Sequence, residues 1–350
     1  MYSNKYFGKG SKLAIAAAAG CLVLSGCSGS SGASANGDIL IGLITKTETT
    51  PFFAAMSEAA KAEAKKQGIQ LQTYAGTSQV DTDSQVSAIE DLIAAHADAI
   101  MITAIDPVAI APQLQRAKDA GIPVIALDTP LTPTTLADST IATDNFKAGE
   151  LIGQYAKAAM TASGTYDSAH VALLDMSVSK VSLDVDRDQG FMSGFGFDIA
   201  DKGTIGDEPS DPRIVGHEVT DGDPAGGRRA MENLLQSDPD INLVYAMSEQ
   251  PANGAYEAIA AAGKSDSVSV VAIDGECAAV DKVAAGQFDA ISMQFPATMA
   301  TLGVRAVVDH VRNGTPFAQS VDSGVQVYAA NPVDGVDVKD IAWAKQNCWG

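Results

Sequence analysis

From Asp38 onward the chain alternates unbroken apolar runs with amphipathic stretches, and that alternation limits its possible folds more than any other feature. The run DILIGLIT is followed by apolar positions at Phe53, Met56, Ala60 and Ala64, the spacing of one helical face, which stops at Gly68. LQTY, a helix through Ile89 and Leu92, ADAIMIT, a helix through Leu114 ending at Gly121, PVIALDT and STIAT complete a first series. A second opens near His170 with HVALLDM, a helix through Phe191, RIVGHEV, a helix through Met231 and Leu234, INLVYAM, a helix through Tyr256 and Ile259, VSVVAID and DAISMQF. Strands that are apolar at every position need cover on both faces, so the pattern predicts an α/β chain with two similar doubly wound parallel sheets. With 350 residues and 46% apolar content the chain can bury cores for about two domains.

The N-terminus indicates where the chain works. Lys5, Lys9 and Lys12 precede an apolar run from Leu13 to Leu24, the charged-then-apolar order of a secretory signal and too short for a spanning helix. LSGC, Leu24 to Cys27, resembles the lipobox of bacterial lipoproteins, which implies that residues 1–26 are removed and that Cys27 carries lipid. An ordinary signal cut near SGASA is the alternative. Residues 27–37, rich in Ser, Gly and Ala, have nothing to pack and read as a flexible tether. The expected location is therefore the extracytoplasmic face of a bacterial membrane, held there by lipid. Cys21 leaves with the signal, so Cys277 and Cys348 remain as an even pair in an oxidising compartment; a disulfide is expected, with two free thiols as the alternative.

Several functions are disfavoured. A formal charge of -20 and the lack of a Lys/Arg cluster in the body argue against a nucleic-acid partner. There is no Walker P-loop, and the GFGF at Gly194 follows a helix rather than a strand, so no nucleotide cofactor is expected. His96, His170, His217 and His310 are scattered and no CxxC or HxxxH spacing occurs, so no metal site is expected. DVDRDQG, Asp184 to Gly190, starts like a calcium loop, but its Gly falls one place late and the twelfth position is Phe195; a helix start with Asp in its first turn fits better.

In doubly wound sheets ligands lie beyond the carboxyl ends of the strands. Those ends here are polar: TKTETTPFF, LDTPL, AIDGEC and MQFP. Thr50 suits a helix N-cap and Pro51 a first turn. Capping does not account for two adjacent rings at Phe52 and Phe53, since a helix needs only one of two neighbours for its core stripe. One ring is expected in the core and the other free for a ligand.

The segments IGLITKTETTPFF, VIALDTPL, ATDNFKAGELIG, RDQGF, AMENLL, VVAIDGEC and the terminal CWG occur in this order through nearly the whole mature chain. Together they resemble bacterial sugar-binding proteins of the ribose/galactose type, most closely their fructose-binding branch. The resemblance implies the type I periplasmic binding protein fold: two lobes that close on a monosaccharide, which is then delivered to the permease subunits of an ABC importer. It implies three crossings, near Thr143, Gln294 and Asp322, so that residues 38–143 plus 295–322 form one lobe and 144–294 plus 323–350 the other. It also implies that the Phe52 and Phe53 rings face the sugar's C–H surfaces, while Asp128, Arg187, Asp274 and Gln294 take its hydroxyls by charge-assisted and polar bonds. Loop or helix-cap duty is the alternative for the two aspartates. A monomer without cofactor is expected.

The pattern departs from the ribose type at Thr50, Thr129, Gly222 and Ser248, where an asparagine, an arginine, an aromatic and an asparagine are common. Ser248 is still expected to line the site, with Glu249 placed to compensate. LDTPL fits the fructose-like branch; ribose and xylose are the alternatives. A sugar enzyme would need a nucleophile or acid/base pair, and neither GxSxG nor a suitable His is present, although Asp128 and Asp274 could mimic a glycosidase pair. A repressor would need a DNA-binding headpiece, which is missing. A sensor that presents sugar to a membrane receptor remains as a related role.

Overall fold

The computed structural model describes residues 39–78, 81–178 and 182–350. The expected signal, Cys27 and the tether lie outside them. The first half runs β1 (Leu40–Thr45), α1 (Pro51–Gln67), β2 (Gln70–Ala75), α2 (Thr82–Ala94), β3 (Ala99–Ile102), α3 (Ala111–Asp119), β4 (Val124–Leu127) and β5 (Ser139–Ala142). The second runs α4 (Asn145–Ser163), β6 (Val171–Asp175), α5 (Ser182–Phe195), β7 (Ile214–Val219), α6 (Pro224–Ser237), β8 (Leu243–Ala246), α7 (Glu249–Ala261), β9 (Ser269–Asp274), α8 (Cys277–Ala284) and β10 (Ala290–Gln294). The tail adds α9 (Pro296–Asn313), β11 (Ser320–Asp322), β12 (Val325–Ala329), β13 (Val338–Lys339) and α10 (Ile341–Asn347).

Two sheets result, in the orders β2-β1-β3-β4-β5-β11 and β7-β6-β8-β9-β10-β12-β13. The first five strands of each follow the same path, so β1 through β5 correspond one by one to β6 through β10. All pairings are parallel except β10 with β12, which runs antiparallel because β12 starts at the boundary between the lobes and heads away from it. Side chains alternate between faces as a period of two demands: Ala99 and Met101 join one core cluster and Ile100 and Ile102 the other. In the second sheet Leu243 and Tyr245 pack on one face and Val244 and Ala246 on the opposite one. Continuous apolar runs are thus buried on both sides, while the edge strands β2 and β7 are only half-buried.

The chain passes between sheets after β5, after β10 and after β11. The first and third passages lie together: Ser323 N donates to Ala142 O at 2.9 Å, and the Thr143 and Ser323 hydroxyls are 3.4 Å apart. Helix α9, after the second passage, packs on α1, β4 and β5 of the first sheet.

Helix α1 begins at Pro51 and ends at Gly68, whose φ of 67° is left-handed. Thr50 holds the N-cap position, yet its side chain caps nothing, because its hydroxyl pairs with the Thr47 hydroxyl at 2.8 Å. DVDRDQG lies within α5, where buried Asp184 accepts hydrogen bonds from the Met176 and Ser177 amides. Helices α4 and α5 meet backbone to backbone through Gly149 and Gly153 on one and Gly190 and Gly194 on the other. A Cβ on Gly190 would stand 2.1 Å from Phe146 O. Cys277 and Cys348 form a disulfide that ties the C-terminus to the start of α8.

Candidate functional site

The two carboxylates picked out in the sequence stand at equivalent places. Asp128 follows β4 and Asp274 ends β9, the fourth strand of each set, and both have positive φ, 63° and 149°. A non-glycine residue there carries about 1–3 kcal/mol of backbone strain, which persists only where its surroundings hold it. Both aspartates stand at the carboxyl edge of their sheets; His96 and Asp221 are the other non-glycine residues with positive φ among the described residues.

In the first lobe Asp128 is joined by a residue that the sequence reading passed over. Lys46, immediately after β1, donates to Thr129 Oγ1 at 3.0 Å, lies 3.9 Å from Asp128 Oδ2 and stands 5.8 Å from the centre of the Phe53 ring. Thr129 Oγ1 in turn donates to Asp128 Oδ2 at 2.9 Å. Burial lowers the Lys46 ammonium below its ordinary pKa; Asp128 opposes that shift and Arg187 adds to it, so the positive charge of the second lobe is felt in this cluster. A cation directly after the first strand was the available signal.

In the second lobe Arg187, on α5, is 3% exposed. Its Nε donates to Asn145 Oδ1 at 2.9 Å and its Nη1 to Met247 O at 3.0 Å, with Asp274 Oδ1 3.6 Å away. The glycine contact between α4 and α5 brings Asn145, at the start of α4, within reach of that guanidinium. Asp274 Oδ1 accepts from Gln294 Nε2 at 2.8 Å and Oδ2 from the Glu249 amide at 3.3 Å. Burial pushes the Asp274 carboxyl up, and Arg187 holds it back. Gln294 Oε1 is buried with no hydrogen-bond partner among the described residues. Ser248 is buried at the start of α7 and makes no side-chain cap. Glu249 does not take the compensating place expected of it: its carboxylate accepts from the Gly275 and Glu276 amides at 2.7 and 3.2 Å, a capping role inside its own lobe.

Both phenylalanines are buried, Phe52 at 9% and Phe53 at 6% exposure, rather than one in the core and one free. Their rings meet edge to face at 5.3 Å, and Phe52 makes a second edge contact of 5.3 Å with Trp349. Trp349 is another residue the sequence reading left without a role. Its backbone is held beside Asp274, by Trp349 N to Gly275 O at 3.3 Å and Cys277 N to Trp349 O at 2.9 Å, while its indole Nε1 donates to Gln294 O at 2.9 Å. A second-lobe residue, fixed next to the disulfide, thereby supports a ring of the first lobe.

Two paired cation–carboxylate sets, with aromatic rings beside them, suit a small neutral polyol: charged groups engage adjacent hydroxyls and rings cover apolar faces.

A family model described as a periplasmic binding protein domain matches residues 41–315, most of the chain, and the chain belongs to that family. The ribose import binding protein RbsB of Bacillus subtilis (strain 168) is 30% identical over 290 residues, covering 83% of this chain and 87% of that protein. The D-apiose import binding protein of Paraburkholderia graminis is 29% identical over 307 residues, covering 88% of this chain and 91% of its own length. Among solved structures, an ABC transporter solute binding protein from Mycobacterium smegmatis with bound glycerol is 29% identical with a TM-score of 0.69, over 83% of this chain and 94% of that one. A periplasmic solute binding protein from Actinobacillus succinogenes 130z with bound D-allose shares the fold at a TM-score of 0.72 and 24% identity, over 88% of this chain and 100% of that one.

Proposed function

We propose that this chain is a solute-binding protein, not an enzyme, that holds one monosaccharide between its two lobes and presents it to the permease of an ABC importer. The observation that carries this reading is the pair of strained aspartates at equivalent strand ends, each with its own cation, Lys46 by Asp128 and Arg187 by Asp274. The sugar-import relatives support the class of ligand and of partner. In this reading Asp128, Arg187, Asp274 and Gln294 engage hydroxyls, Phe52 and Phe53 form the apolar wall, and Ser248 lines the second lobe. Lys46 and Asn145 join the polar set. The lobes comprise residues 38–143 plus 295–322 and 144–294 plus 323–350, and the working form is a monomer anchored through lipid on Cys27 outside the cytoplasm.

Fructose is the proposed sugar, on the strength of LDTPL, ATDNFKAGELIG and the CWG end. Ribose is the second reading, favoured by the 30% identical relative. A thermal-shift panel of D-fructose, D-ribose, D-xylose, D-allose and D-apiose tests both. Ligand at a hundredfold excess over Kd stabilises by about 2.7 kcal/mol, which a melting curve registers. The largest shift is expected with fructose. A large shift with an aldopentose and none with fructose overturns the choice of sugar; no shift with any monosaccharide overturns the class.

A further inference from the structure

Away from the proposed sugar contacts, at the outer edge of the second lobe, four chemically related side chains converge. Asp175 ends β6, Asp188 lies on α5, His217 is in the edge strand β7, and Glu208 comes from the segment joining α5 to β7. His217 Nδ1 lies 3.2 and 3.3 Å from the two Asp175 oxygens and 3.8 Å from Asp188 Oδ1, and its Nε2 lies 3.1 Å from Glu208 Oε1. One ligand atom from each of Asp175, Asp188 and His217 falls within 4.8 Å of the others. Asp188 is 0% exposed; Oδ2 receives the neighbouring Gln189 amide, whereas Oδ1 has no hydrogen-bond partner among the described residues and stands beyond hydrogen-bond reach of the imidazole.

We propose that Asp175, Asp188 and His217 Nδ1 bind one divalent transition ion of the zinc or manganese type, with Glu208 as the group that orients the imidazole. Bonds of about 2.0–2.2 Å from a common centre put ligand atoms roughly 3–4 Å apart; the two separations from His217 Nδ1, 3.2 Å to Asp175 and 3.8 Å to Asp188, lie in that range. Donation of Nε2–H to Glu208 leaves the Nδ1 lone pair facing the two aspartates, the carboxylate–histidine–metal arrangement found around ligating histidines. The charges match as well: two carboxylates neutralise a divalent ion, and the ion supplies the partner that buried Asp188 Oδ1 lacks. Calcium fits less well, since it calls for six to eight oxygens and here one donor is an imidazole nitrogen. Asp184 stays outside the set because backbone amides occupy its carboxylate. The three ligands were invisible as a motif because they come from two neighbouring strands and the helix between them. The ion would pin β6, β7 and α5 together and so fix the helix that carries Arg187 one residue before Asp188.

The test is Zn2+ binding to the full-length protein after dialysis against EDTA, followed by titration calorimetry and thermal melting without sugar. Saturable binding of one ion per chain is expected, with a rise of about 4 °C in Tm at a hundredfold excess over Kd. Asp188→Asn is expected to weaken binding at least about tenfold, and Glu208→Gln about 10- to 100-fold. No saturable site in the wild type overturns the proposal and leaves a network held by protonated His217. Equal affinity in the wild type and both variants overturns it too, since the ion would then sit on other acidic groups. Should Asp188→Asn fail to fold, the comparison rests on Glu208→Gln.

Discussion

Replacing Arg187 with alanine removes the cation that the second lobe places beside Asp274. The side chain is 3% exposed, so water does not fill in for it freely. Three acceptors lose their donor or counter-charge: Asn145 Oδ1, Met247 O and the Asp274 carboxylate. Each neutral acceptor left unpaired in a buried setting costs about 1–3 kcal/mol, part of which is borne by the folded protein without ligand. The Asp274 carboxyl, already pushed up by burial and held back by Arg187, rises further and loses charge, so a sugar hydroxyl meets a weaker acceptor as well as a missing fork. Truncating one partner of a buried, hydrogen-bonded charge pair costs about 2–5 kcal/mol of binding. Kd is therefore expected to rise at least about 30-fold. Arg187→Lys keeps the charge but not the planar fork and should fall between the two. Calorimetry with the best sugar of the thermal-shift panel, beside a circular dichroism melt to confirm folding, gives the answer. A folded Arg187→Ala chain with wild-type Kd would refute the placement of this residue in the site.

Three further outcomes follow from the packing. Trp349→Ala removes a ring that is 8% exposed and frees the Gln294 carbonyl, so a stability loss of about 3 kcal/mol or more is expected in urea unfolding; an unchanged midpoint would show that the tail does not brace Phe52. Gly190→Ala drives a methyl to within 2.1 Å of Phe146 O, and the α4–α5 contact should loosen at a cost of about 1–3 kcal/mol, outweighing the better helix propensity of alanine; a raised denaturant midpoint contradicts this. The Arg305 guanidinium, bonded to Glu63 at 2.8 Å, holds that carboxyl down to about 2. Its folded value lies below the unfolded one, so the stabilisation is full above a pH of about 4.5 and fades as pH falls toward 2. Glu63→Gln should therefore destabilise at neutral pH and flatten the acid limb of the melting curve, and an unchanged limb argues against the linkage.

The order of strands and helices was legible because burial on both faces forces unbroken apolar runs, and β1, β3, β4, β6, β8, β9 and β10 all carry them. The tail was less legible: β11 and β13 are short, and only the crossing places β12 in the second sheet. Strand ends marked Asp128 and Asp274, since a polar residue closing an apolar run is visible in the sequence. Lys46 and Asn145 escaped because their roles depend on partners far along the chain, Asp128 and Arg187. The paired spacings in GELIG and GFMSG hold the signal for the close approach of α4 and α5, a signal that becomes specific only when both helices are seen to touch. Thr50 shows the converse: residue type and position favoured a cap, but the nearby Thr47 hydroxyl took the side chain instead.

Small-angle scattering with and without saturating sugar tests the central claim most directly, because a ligand held between two lobes binds the closed arrangement better and shifts the population toward it. With the best sugar of the panel the radius of gyration should fall, and in Arg187→Ala it should fall only at correspondingly higher sugar concentration. An unchanged radius at a concentration where calorimetry shows the site filled would contradict a sugar held between the lobes.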